Sequence, residues 1–148
     1  MANPVHSEAM TESNNLEPYK EAYDMEMYIK IVSILLAALF ILASSIKVFA
    51  WQKLIFEKQL EFFISYGLNR KIMASVGIVE MSGALTVYFQ DSYAGVYGAA
   101  AIFFTSLGAI FFHLKFDTWK DGIPAMCTLF LSGSLLFFNQ PLIMSLMN

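Results

Sequence analysis

Residues 72–89 read "IMASVGIVEMSGALTVYF". The run is apolar and falls within the range of about 17–25 residues that a helix needs to cross a bilayer, yet Glu80 stands near its centre. An ionised acid at the middle of a membrane helix costs about 2.5–3.5 kcal/mol on insertion scales, so this side chain should face protein rather than lipid. Its helical neighbours at i±3 and i±4 are Val76, Gly77, Gly83 and Ala84, mostly small residues of the kind that lets membrane helices approach closely. The opposite stripe, Ile78, Met81, Leu85 and Tyr88, is bulky and apolar. The pattern predicts a helix with one face on a bundle and one on lipid, and a Glu80 that is either held neutral or paired with a cation.

The rest of the chain supports that environment. Of 148 residues, 57% are apolar and 14% charged, with a mean hydropathy of +0.57. A soluble domain carries about 25% charged residues. Three further apolar runs, at about 27–50, 93–114 and 123–146, bring the expected spans to four; Asn139-Gln140-Pro141 should kink or end the last of them. "QDS", residues 90–92, allows only a tight helical hairpin between spans two and three, and "KFDTWKDG", 115–122, is also short. The link 51–71 differs. Trp51, Leu54, Ile55, Phe62, Phe63 and Tyr66 alternate there with Lys53, Glu57, Lys58 and Glu61, an amphipathic pattern that suits a helix lying on the membrane surface, with Gly67 as its stop. The expected fold is therefore all-α: an integral membrane four-helix bundle over 27–147, with an amphipathic interfacial segment between helices 1 and 2.

Residues 1–26 hold six acids and one base and read as an acidic polar tail, largely disordered, with the disorder over 1–15. From Leu16 the spacing of Leu16, Tyr19, Tyr23 and Met27 is helix-like, so that the first membrane helix begins early or follows a short surface helix. That charge is the reverse of a secretory signal peptide. Lys47, Lys53, Lys58, Arg70, Lys71, Lys115 and Lys120 fall on one side of the predicted bundle, against Lys20 and Lys30 on the other. The positive-inside rule makes the first side cytoplasmic and both termini non-cytoplasmic in a multi-pass inner-membrane protein. No basic patch suggests nucleic acid. Cys127 is the single cysteine and His6 lies in the tail, so one chain offers neither a Cys/His metal set nor a bis-His haem site. No intrinsic cofactor and no metal are expected.

Three polar residues stand out in the membrane runs: Lys47, Glu80 and His113. Lys47 follows Ala43 and Ser44 near the end of span one, where it either reaches the interface or turns inward. His113 closes span three, either as an interfacial histidine or as a functional one. Antiparallel spans bring Lys47 and His113 to one level, with Glu80 about 12–14 Å deeper. The three form a candidate buried cluster that could bind a polar head group, relay a proton or lock helices together. Asp117, Lys120 and Asp121 read as a solvated loop.

The order of these features resembles the DoxX-like family of small four-helix membrane proteins. "ILASSIKVFAW" resembles the family's first helix, "GIVEMSGALTVYF" its second and "AIFFTSLGAIFFHL" its third, over about residues 28–140. The resemblance implies a four-helix membrane bundle, with Lys47, Glu80 and His113 at the family's polar positions. It also implies, for some members, a role as a subunit of a quinone-linked oxidoreductase complex, with quinone as the bound ligand and electrons delivered by a soluble or membrane partner subunit. A non-catalytic assembly or chaperone-type scaffold and, behind it, a small proton-coupled transporter are the alternative readings. Besides the lipid bilayer, a second copy of the chain is a further expected contact.

Overall fold

A computed structural model describes the backbone of residues 4–147 and the side chains of residues 16–146. It contains six helices among the described residues: α1 (Pro4–Phe49), α2 (Lys53–Ser65), α3 (Arg70–Thr86), α4 (Tyr93–Phe116), α5 (Ile123–Phe138) and α6 (Gln140–Met147). No strand occurs among them. The chain divides into two units, Met1–Ile31 and Val32–Asn148.

In the first unit the sequence leads one to expect disorder over residues 1–15 and helical spacing from Leu16, whereas the backbone is already helical from Pro4. The reason is compositional. Glu, Ala, Met, Leu and Lys dominate residues 8–22 and all favour helix, while Pro4 occupies the first helical position, where its missing N–H costs nothing. Residues 16–28 are exposed, and Lys30 pairs with Glu26 at 2.5 Å across one turn.

In the second unit α1 stops where Ala50 adopts a left-handed backbone, φ 53°. The Ala50 N–H still reaches the Ile46 carbonyl at 2.9 Å, and the Arg70 guanidinium donates to the Val48 carbonyl at 3.0 Å. A cation on the last carbonyls of a helix meets the negative end of its dipole. The amphipathic link forms α2. Gln52 caps its start by accepting from the Leu54 N–H at 3.2 Å. Gly67, at φ +76°, ends it: the Gly67 and Leu68 N–H groups return to the Ile64 and Phe63 carbonyls at 3.0 and 2.8 Å, the paired bonds of a Schellman stop.

The α3–α4 hairpin is tight, as "QDS" predicts. A Cβ on Gly98 would stand 2.4 Å from the Val87 amide nitrogen, and one on Gly95 would meet the Phe89 backbone. Val87–Phe89 are spent on this turn, so α3 has 17 residues rather than the expected run to 89. At the far end of the chain α5 and α6 meet at a 69° bend. Asn139 sits in that bend. Its side-chain amide donates to the Leu135 carbonyl at 2.8 Å and to Gln90 Oε1 at 2.7 Å, tying the bend to the hairpin turn.

Among the described residues two helices can cross a membrane by length and composition, Leu16–Phe49 and Tyr93–Phe116, and the bent α5–α6 pair makes a third if it counts as one span. The second unit is built for that environment. Its buried positions include Ser33, Ser44, Ser106 and Ser132 beside Leu36, Met73, Ile102 and Leu135, while Leu42, Leu85, Phe111, Phe130 and Phe137 point outward. Small and polar inside, large and apolar outside, is the arrangement of a helix bundle in lipid. Between α4 and α5, Ser106 and Thr128 hydroxyls share a hydrogen bond at 2.7 Å.

Candidate functional site

Glu80 is buried on the inner face of α3, with Met73, Gly77, Gly83 and Ala84. Ile78, Leu85 and Tyr88 on the opposite stripe are exposed. Gly77, nearly one turn before Glu80, lets α1 come close: a Cβ there would stand 2.9 Å from Lys47 Cβ and 3.1 Å from a Val48 methyl. That approach delivers Lys47 to Glu80. Lys47 Nζ donates to both carboxylate oxygens, at 2.8 and 2.6 Å. Side-chain exposure is 14% for Lys47 and 7% for Glu80, too little for water to solvate either charge. Of the two roles open to Lys47 in the sequence, the inward one is taken, and Glu80 is the paired acid.

His113 joins a different group. Its Nδ1 lies 2.9 Å from Asp117 Oδ2 and 3.0 Å from the Tyr66 hydroxyl, and that hydroxyl donates to the same Asp117 oxygen. Asp117, as a carboxylate, can only accept from its two neighbours. With the Tyr66 proton given to Asp117, Nδ1 must carry its own hydrogen, and a neutral ring then has its lone pair on Nε2. Tyr66 packs against both Phe112 and Phe116, at centroid separations of 5.3 and 5.4 Å. Burial, and then the bond to the Asp117 carboxylate, push the Tyr66 phenol well above its ordinary pKa. Nearby, Asp121 accepts from the Thr118 hydroxyl and amide at 2.6 and 3.3 Å, which hold its carboxyl below the usual range.

The two groups share a cavity. A space of about 1050 Å³ is lined by Lys47 from α1, by Gln59, Phe62, Phe63 and Tyr66 from the α2 segment, by Ile72, Val76, Val79 and Glu80 from α3, and by Pro124 and Ala125 from α5. One continuous face of α4 from Tyr97 to His113 completes it, a length of about 24 Å at 1.5 Å per residue. Its polar groups gather toward the His113 end; the Tyr97 end offers Ala100, Ala101 and Phe104. Gln59 Oε1 is buried and has no hydrogen-bond partner in the protein. A buried acceptor left unpaired is costly, and in a cavity wall it is an opening for a ligand donor.

Lys47, Glu80 and His113 thus line one cavity, but only the first two touch. Sequence reading missed Tyr66 and Asp117. Asp117 lies at i+4 from His113, the spacing that puts two side chains on one helical face, and that signal was present. Tyr66 was concealed by its place in the amphipathic pattern, where it counts as one more apolar residue.

The model of the DoxX-like family matches residues 31–135, more than half of the chain. No curated protein and no solved structure matches it. The chain belongs to the DoxX-like family and, with its apolar helices, is a membrane protein.

Proposed function

We propose that this DoxX-like chain is the membrane subunit of a quinone-linked oxidoreductase complex, in which the cavity between α2, α3 and α4 holds the quinone. The observation that carries the reading is the cavity's form: long, largely apolar, and polar toward one end. An isoprenoid tail suits the Tyr97 end. The head group suits the end that offers the Lys47 ammonium as a donor to a quinone carbonyl, and the unpaired Gln59 oxygen and the His113 ring as acceptors for the hydroxyls of the quinol. A bound quinone supplies paired electron and proton chemistry. The chain's part is to bind, orient and handle protons. Lys47 gives two of its N–H groups to Glu80 and keeps a third for a quinone carbonyl, while the His113 ring, its Nδ1 hydrogen held by Asp117, presents an Nε2 lone pair to a quinol hydroxyl. A partner subunit supplies the electrons.

The same reading includes four spans. The 17-residue α3 stands at the lower limit of about 17 residues for a crossing, and α2 lies along the surface with no residue buried. Lys and Arg are gathered at the α2 end, which makes that end cytoplasmic, with both termini outside, in the inner membrane.

The test is extraction and binding. Chain purified in mild detergent should copurify with quinone, detected by mass spectrometry, and bind added short-chain quinone. Tyr66→Phe and Glu80→Gln should each weaken that binding. A chain that neither carries nor binds quinone overturns the reading.

A further inference from the structure

Gly108 lies in the interior of α4, where glycine is less favourable than alanine. Close packing explains other glycines of this bundle. A Cβ on Gly77, Gly83, Gly95 or Gly98 would find an atom within 3.0 Å, whereas a Cβ on Gly108 would find nothing within 4 Å. Gly108 lines the cavity, as do Phe104 and Phe112 one turn to either side. What its missing side chain provides is space.

The level of that space follows from the hairpin. Gly83 packs against Gly98 and Ala101, so antiparallel register puts Glu80 level with about residue 104. Gly108 is then one turn, about 6 Å, closer to the α2 end, and His113 is about 7.5 Å beyond it. The opening therefore lies between the Lys47–Glu80 pair and the His113–Tyr66–Asp117 group.

We propose that Gly108 is the specificity-determining residue of the cavity, leaving room for the flat ring of the ligand's head group between these two polar groups. This rests on the quinone reading above. It adds that ring size is set at one α4 position. A one-ring head group fits with a methyl added at residue 108; a two-ring head group needs the full opening.

The test uses the full chain in lipid nanodiscs and two probes with short tails, a benzoquinone and a naphthoquinone. Affinity is read from quenching of intrinsic tryptophan and tyrosine fluorescence. Gly108→Ala should weaken the naphthoquinone about tenfold and the benzoquinone less than about twofold, the scale on which one methyl in a pocket discriminates. Gly108→Leu should weaken both by about a hundredfold, with no fall in thermal midpoint. Gly108→Ala, which changes least, keeps the test available if the leucine variant does not fold. Wild-type affinities in both variants, or equal losses for both rings in Gly108→Ala, would overturn the assignment while leaving the quinone reading intact. A wild-type chain that binds neither probe removes both.

Discussion

The two ends of the α3–α4 pair use glycine in opposite ways. At the hairpin end Gly98 and Gly95 are there because backbone occupies the place of a side chain. At the α2 end Gly108 is there although nothing occupies that place. One end is closed to van der Waals contact and tied to the α5–α6 bend through Gln90 and Asn139. The other is splayed around a cavity that carries the chain's buried charges. The difference teaches that a small residue in a membrane helix has two meanings, and that the position of its neighbours' backbone decides between them.

The contrast can be broken from the closed end first. Gly98→Leu must displace the Val87 backbone, and the expected loss is about 3 kcal/mol or more, visible as aggregation or a collapsed thermal transition in detergent. Next comes the ion pair. Lys47→Met or Glu80→Met alone leaves a buried charge without its partner and should cost about 3 kcal/mol. The double variant should recover most of that, since no orphan charge remains; a thermal-denaturation double-mutant cycle reads the coupling.

Tyr66→Phe is smaller, about 1 kcal/mol for the lost hydrogen bonds. It also has a pH signature. The folded phenol's pKa lies above its unfolded value of about 10, so its stabilisation is fully present below about pH 10 and is lost as pH rises beyond it. Wild type should lose stability there and Tyr66→Phe should lose less, as followed by thermal midpoint against pH. The smallest effect has the opposite sign: Gly108→Ala should stabilise α4 by about 0.5–1 kcal/mol, whereas the alanine change at Gly98 should destabilise.

Much of the closed end was legible in the sequence. The small stripe around Glu80, the short "QDS" link and Pro141 after Asn139 each carry a local physical meaning, and each corresponds to a close approach, a tight turn or a bend. Gly67 as the stop of α2 was legible for the same reason. The open end was read only in part. Topology brings Lys47 level with His113 and leaves Glu80 about 12–14 Å deeper, but the contact of Lys47 with Glu80 depends on Gly77 admitting α1, and that is a property of two helices at once. His113 was singled out and its partners were not, because Tyr66 lies 47 residues away in a segment whose pattern speaks of surface. The helix from Leu16 onward was legible in the spacing of Leu16, Tyr19, Tyr23 and Met27. Its part over residues 4–15 was missed because a polar, acidic stretch was read as disorder, while its helix-forming composition was left out of account.

The bidentate contact between Lys47 and Glu80 has a consequence for selection by charge. Together the two side chains sum to zero, so the wall they form exerts a dipole's short-range field rather than an ion's long-range one. A neutral visitor can accept a hydrogen from the ammonium while the carboxylate keeps its hold. An anion competing for the same ammonium would strip Glu80 of its counterion inside lipid, and a cation would do the same to Lys47. A charge-neutral wall of this kind suits an uncharged polar group better than a salt of either sign.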